Sequence, residues 1–503
     1  MPAAALLRGA WKRQFEVTQW PNLPHEPALE DPNIWTRLEQ TRQWIAGADF
    51  HERLLRDTNA AAEGVERLWT RATDTLIGFF HYFTPVAWAD ETRLMVAAAW
   101  LPAVLGIIAF AILARAALAR FNNWHVLFTL VFLLAVNPLT GYFTPGDVDR
   151  HGIVIVMWCG VLGLMLKPLT RRGAALAGVM LGVMLWGDIE SLAPVGVVLA
   201  FAGYVALRKP DQRLPFVVMA VAAALTAGVA LAAEMRVGAG LPWLLASGGF
   251  DGLRPVPTDL KPLLQLEWSI VLQHIWQPVL ALALLLRLRR GRASDAALGA
   301  VLAACCFLML AQVRFSYYAQ VAAVLAIAPL LPVYAMQLAR GLTRTLRPYA
   351  VLLGCCAVVI ALAPPSGGTP NELDKQSCQA QMRYVIQTQQ LQKRAGDGPR
   401  VIVAPADVAG DIIFFTPYRV IAGEYMREGK DMERLRAIVA EPKADQARAL
   451  LKENNAELVF FCPAQAPKGS WLAGPRPAWL KPVEGMSFTV KKGTMPQLYA
   501  VQK

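Results

Sequence analysis

A chain of 503 residues that is 55% hydrophobic and only 17% charged, with a mean hydropathy of +0.37, carries more apolar surface than a water-soluble core would use. That composition excludes a disordered or purely soluble protein and implies a polytopic membrane protein with polar segments. The net charge of +12 does not point to a nucleic-acid partner, because the basic residues are scattered over short loops rather than gathered in one stripe.

Residues 1–93 contain no spanning segment. The apolar run from Met1 to Ala10 is too short for a signal peptide, and Lys12 and Arg13 follow it rather than precede it. Either a helix precedes this Met1 or the N-terminus is itself translocated. The aromatic stretch 76–89 is expected to lie in the membrane interface among the lipid headgroups.

A spanning helix needs roughly 17–25 mostly apolar residues. Candidates are 94–114, 124–140, 152–167, 173–188, 190–207, 214–234, 268–286, 296–313, 317–339 and 348–363, about ten crossings within a membrane domain of 94–363. Arg115 with Arg120, Lys167 with Arg171 and Arg172, and Arg208 with Lys209 and Arg213 occupy alternate loops. The run Arg287–Arg292 and the set Arg340, Arg344 and Arg347 continue that series. The positive-inside rule makes these loops cytoplasmic. The 141–152 loop, the 235–267 loop and everything after 364 are then extracytoplasmic.

The loop 141–152 concentrates the chemistry. Asp147, Asp149, Arg150 and His151 sit between two apolar spans, and in the extended backbone that Pro145 favours, Asp147 and Asp149 project to one side. Ionisable groups at membrane depth mark function. Glu190 and Asp188 lie between two later spans. An acid at the bilayer centre would cost about 2.5–3.5 kcal/mol, so a polar cavity or a short outer turn is expected there. Arg314, beside Tyr317 and Tyr318, either anchors a helix end at the headgroups or holds an anionic group. Arg37 is expected to form a structural ion pair. Gly178 and Gly182 have the small-xxx-small spacing of closely packed helices.

Cys159, Cys305, Cys306, Cys355 and Cys356 fall in apolar spans and read as packing residues, whereas Cys378 and Cys462 lie in the polar C-terminal region and form a candidate disulfide. The stretch 363–370 is a Pro/Gly linker. Beyond it, 371–503 reads as a small α/β domain, with strands at 400–404, 418–422 and 456–461 and helices at 431–439 and 444–454.

The stretches Asp31-Pro-Asn-Ile-Trp-Thr-Arg37, Trp44–Gly47 and Leu68–Arg71 with Asp74 resemble the first extracytoplasmic loop of bacterial GT-C-type glycosyltransferases. The loop Pro145–His151 resembles the acidic motif of their second such loop. Gln312–Ala319 is similar to the Arg-Phe segment of oligosaccharyltransferase catalytic subunits, and Thr416–Tyr425 to the periplasmic domain of the bacterial group. The resemblance implies a GT-C-like helical membrane enzyme that transfers a sugar from a polyprenyl-phosphate donor to an extracytoplasmic acceptor of the cell envelope. In such a site Asp31, Asp147 and Asp149 would supply the base and ligands for Mg²⁺ or Mn²⁺. Arg314 would hold the lipid phosphate, with His151, Arg150, Glu190 and Tyr317 contacting substrate.

The departures matter as well. Asn33-Ile34 stands where many relatives carry an acidic pair, and Asp149 and His151 fit the second-loop pattern better than Asp147 does. The Trp-Trp-Asp-Tyr-Gly sequence is absent, which disfavours transfer to asparagine. The long 235–267 loop is expected to be a lid, with Asp251, Asp259 and Glu267 as spare acids. A transporter or flippase and a non-catalytic partner subunit are the alternative classes. The first should show inverted repeats and midplane charges; the second would explain Asn33-Ile34.

Overall fold

The computed structural model describes residues 32–49, 54–55, 65–66, 70–121, 124–135, 137–144, 146, 148, 150–234, 262–287, 293–343, 346–362, 386, 400–423, 429–461, 466–483 and 497–501. The expected first-loop acid Asp31, the pair Asp147 and Asp149, both Cys378 and Cys462, and most of the 235–267 loop, including Asp251 and Asp259, lie outside the described residues.

Each apolar run expected to span forms a helix. After α1 (Pro32–Ile45) and α2 (Ala72–Tyr82) come α3 (Asp90–Arg120), α4 (Trp124–Ala135), α5 (His151–Met165), α6 (Arg171–Gly187) and α7 (Leu192–Arg208). α8 (Arg213–Ala233), α9 (Trp268–Arg287), α10 (Ala293–Ala311), α11 (Ser316–Leu338) and α12 (Arg347–Leu362) follow. Among the described residues, four helical segments are long and apolar enough to cross a membrane: Asp90–Arg120, Pro210–Ala233, Ile270–Arg287 and Val313–Gly341. α4, α5, α7 and part of α10 are shorter apolar helices.

The expected span 124–140 is cut short for a definable reason. Pro138 disfavours helical backbone at Asn137, which adopts extended angles and caps the next turn by accepting from the Leu139 amide at 2.8 Å. The chain continues as a 3₁₀ turn, Pro138–Phe143.

The helices sort their side chains by neighbour rather than by polarity. On α8, Pro215, Met219, Ala223 and Ala227 are buried, while Val217, Val221, Leu225 and Val229 on the opposite row are exposed. A helix apolar on both faces with one face uncovered is suited to lipid on that side. Its buried face meets α6, where Gly178 and Gly182 let the backbones approach. A Cβ at Gly182 would lie 2.5 Å from the Thr226 Cβ and 2.8 Å from the Ala223 carbonyl, and one at Gly178 would collide with the Met219 carbonyl. The small-xxx-small spacing therefore does the packing work its pattern implies. α11 is the central helix, buried continuously from Ser316 to Pro332. Cys159, Cys305 and Cys355 are buried in the helical core, as their apolar setting implies.

After a short antiparallel pair, β1 (Leu54–Leu55) and β2 (Val65–Glu66), the C-terminal segment forms a five-stranded sheet in the order β4-β3-β5-β7-β6, from β3 (Arg400–Val403), β4 (Tyr418–Val420), β5 (Ala456–Phe461), β6 (Leu480–Pro482) and β7 (Gln497–Val501). β3 runs parallel to β4 and β5, and β7 pairs antiparallel with β5 and β6. The expected strands and both expected helices, here α14 (Gly429–Ala440) and α15 (Ala444–Glu453), are present. The short helix α13 (Ala409–Phe415) was not expected. Through it the sheet unit docks on α1: the Trp35 ring lies 5.1 Å from Phe414 and 4.6 Å from Phe415, and Arg42 sits over Phe414 at 5.0 Å. Trp35, the aromatic of the first-loop motif, is fully buried by this contact.

Candidate active site

Three turns that are far apart in sequence meet at one end of the helix bundle. The basic turns at Lys167–Arg172, Arg208–Arg213 and Arg340–Arg347 terminate the same helices at their other ends.

The first turn precedes α5. Gly146, at a φ of 92° that favours glycine, donates its amide to the Ala99 carbonyl of α3 at 3.2 Å. Val148 is 2% exposed, and its carbonyl accepts from the Arg37 guanidinium at 3.3 Å. The backbone flanking Asp147 and Asp149 is thus anchored from two directions. Arg37 also forms the ion pair expected of it, with Asp74 at 3.8 Å, and Arg71 reaches the same carboxylate at 3.4 Å. The bond to Val148 adds a link between first and second loops that no local pattern announced.

The second turn joins α6 to α7. The chain leaves α6 at Asp188, whose extended backbone starts a single 3₁₀ turn, Ile189–Ser191. The Asp188 Oδ1 accepts from the Glu190 amide at 3.2 Å, and its carbonyl accepts from the Ser191 amide at 2.9 Å, so the acid organises its own turn. The third turn, Val313–Phe315, delivers Arg314 at the N-terminus of α11, where the helix dipole adds to its positive charge.

The three turns are joined by charge. Arg314, only 7% exposed, pairs with Glu190, while Arg150 lies 3.5 Å from Asp188 and 3.8 Å from Glu190. Two guanidiniums thus face two carboxylates. Around them stands an aromatic wall. His151, the first residue of α5, has its ring 5.4 Å from Tyr142 and 5.3 Å from Tyr317, and Tyr317 lies 4.2 Å from Tyr318. The Tyr318 hydroxyl and the Ser191 hydroxyl are 2.8 Å apart, and Trp158 donates its indole N–H to the Tyr318 carbonyl at 3.1 Å.

Of the residues expected to contact substrate, Arg314, Arg150, Glu190, His151 and Tyr317 are therefore gathered in one place. Glu267, a spare acid in the sequence reading, is exposed just ahead of α9. Two further residues join them. Asp188, 3% exposed, is more deeply placed than Glu190, and Tyr318 bridges Arg314's helix to the α6–α7 turn. A third, Glu234, lies outside the sequence expectations. It follows α8, is 1% exposed, and accepts from the Trp186 indole N–H at 2.5 Å and from the Arg71 amide at 2.8 Å. The Thr70 hydroxyl adds a bond to the Gly187 carbonyl at 3.5 Å. Together these hold the end of α6, and with it Asp188 and Glu190. An acid at the outer end of an apolar span was the signal available.

Among the described residues, no group of three or more His, Cys, Asp or Glu side chains is placed to hold a metal ion. The acids that are described, Asp188 and Glu190, already face arginines, so their donor set does not fit a divalent cation. The charge available to meet an anion here comes from Arg150 and Arg314.

No family model and no curated protein matches this sequence. Solved structures do match. The archaeal oligosaccharyltransferase AglB from Archaeoglobus fulgidus, in complex with an inhibitory peptide and a dolichol-phosphate, aligns with a TM-score of 0.60 at 15% identity, over 91% of this chain and 69% of that one. ArnT from Cupriavidus metallidurans bound to undecaprenyl phosphate aligns with a TM-score of 0.59 at 12% identity, over 99% of this chain and 97% of that one. The Archaeoglobus enzyme in complex with Zn and sulfate aligns with a TM-score of 0.51 at 14% identity, over 86% and 64% of the two chains. At such identities what is shared is architecture: this chain has the fold of the Archaeoglobus oligosaccharyltransferase and of ArnT.

Proposed function

We propose that this protein is a membrane glycosyltransferase that transfers a sugar from a polyprenyl-phosphate donor to an extracytoplasmic acceptor. The observation that carries this reading is Arg314. A nearly buried arginine at the N-terminus of the central helix, beside a second arginine and an aromatic wall, suits a phosphate on a lipid chain. Two proteins of the same fold have been solved with polyprenyl-type phosphates bound. The separation of basic turns from site turns, read with the positive-inside rule, supports a multi-pass orientation that puts this end and the 371–503 domain outside the cytoplasm, in the periplasm of a bacterial inner membrane.

In this mechanism the acceptor hydroxyl attacks the anomeric carbon and the sugar–phosphate bond breaks. The proton passes to a carboxylate and the lipid phosphate departs toward Arg314 and Arg150. Asp149 is the proposed base, with Asp147 and Asp31 contributing. Next to these acids in sequence, Gly146 and Val148 are each hydrogen-bonded to another segment. His151, Tyr317 and Glu190 line the donor's approach. A divalent ion, Mg²⁺ or Mn²⁺, would have to be held by Asp147 and Asp149; if bound, it would offset charge on the departing phosphate. Surrounding lipids and the acceptor complete the partners.

The test is an in vitro transfer assay with labelled polyprenyl-phosphate sugars. Asp149→Asn should abolish turnover, and Arg314→Gln should first raise the donor concentration required. Unchanged transfer by a well-folded Asp149→Asn protein would make the loop structural and refute its assignment.

A further inference from the structure

The two acids of the α6–α7 turn are held differently. Asp188 is 3% exposed, and its side chain and carbonyl both bond to the turn's own backbone, so it cannot leave without unmaking the turn. The Glu190 side chain makes no such bond to the turn. It reaches out on a longer stem, 26% exposed, and meets the guanidiniums of Arg314 and Arg150. Arg314 itself is nearly buried. A guanidinium in that setting needs an anion in every state of the protein, because an uncompensated buried charge is strongly unfavourable. A carboxylate and a phosphate present oxygen atoms to the arginine fork in similar geometry, so either can fill the position.

We propose that Glu190 is an internal stand-in for the donor's phosphate, occupying the anion position on Arg314 and yielding it when a polyprenyl phosphate binds. The exchange keeps Arg314 paired throughout and moves only the acid that is free to swing toward solvent. It also makes anionic lipid compete with a tethered carboxylate, which weakens donor binding and hastens release of the spent phosphate carrier. This inference rests on the donor reading above, and it predicts an effect opposite in sign to that of an ordinary contact residue. Removing the Glu190 charge should tighten phosphate binding.

The experiment is direct binding, without turnover, of a short-chain polyprenyl phosphate and of the matching uncharged polyprenol to the full-length protein in detergent. Glu190→Gln should bind the phosphate about threefold to thirtyfold more tightly than wild type, the range spanned by exposed and buried charged pairs. Binding of the polyprenol should be unchanged. Adding Arg314→Gln to Glu190→Gln should erase the gain. If wild type prefers the phosphate over the polyprenol but Glu190→Gln shows no tightening, the stand-in is refuted and the donor reading stands. If neither protein distinguishes the two lipids, both fall. Should Glu190→Gln fail to fold, Glu190→Asp replaces it; tightening in the same direction supports the proposal and its absence counts against it.

Discussion

Glu234 offers the sharpest test of how the site is held. Its carboxylate lies 1% exposed and accepts from two donors, the Trp186 indole N–H and the Arg71 amide. Glu234→Ala would strand both. At about 1–3 kcal/mol for each buried donor left unsatisfied, the expected loss is about 2–6 kcal/mol. Glu234→Gln keeps an acceptor oxygen and loses only the charge. Charged hydrogen bonds are about twice as strong as neutral ones, so its cost should be nearer 1–2 kcal/mol. Thermal unfolding of the full chain in detergent, followed by tryptophan fluorescence, should rank wild type above Glu234→Gln and Glu234→Ala lowest. The same order should appear in polyprenyl-phosphate binding, because Trp186 stands two residues before Asp188 and its release loosens the turn that faces Arg150 and Arg314. A Glu234→Ala protein as stable as wild type would show that the α6–α7 turn is held by other contacts and refute this account.

Two further outcomes are expected. Gly182→Ala should lower thermal stability by about 1–3 kcal/mol, since its new methyl meets Thr226 and the α8 backbone, whereas Gly196→Ala, with open space around it, should be neutral in the same unfolding assay. If Arg150 and Arg314 supply the charge that meets the phosphate, exhaustive chelation should leave polyprenyl-phosphate binding within about twofold of its starting value; a collapse of binding would place a cation between phosphate and protein.

The helices were legible because an apolar run in a membrane protein admits few other backbones. Their ends were less so: the break at Asn137 is written in Pro138, but a hydropathy window slides past it. In the sheet unit, Arg400–Val403 and Ala456–Phe461 show as β-branched and aromatic runs. Leu480–Pro482 carries no pattern of its own and is a strand only through its pairing with Gln497–Val501. The helix Ala409–Phe415 is buried on every side, which removes the amphipathic period that would identify it. The site divides the same way. Arg314, Arg150 and Glu190 stand out as charges beside apolar spans. Glu234 reads as the ordinary polar end of a span, since its partners lie 48 and 163 residues away.

That division has a mechanical meaning. The charges legible from sequence sit on turns too short to position themselves, and the illegible contacts are the ones that aim them. The Gly146 bond to Ala99, the Arg37 bond to Val148 and the Glu234 bonds to Trp186 and Arg71 each tie a site turn to a helix or segment other than its own. The close α6–α8 packing at Gly178 and Gly182 brings Glu234 against Trp186 in the first place. In the first-loop segment Ile34 and Trp35 are buried structural residues, and Trp35 anchors the C-terminal unit. The described part of the first-loop segment therefore contributes docking, and in the proposed function the phosphate is left to Arg150 and Arg314 on the first and third site turns.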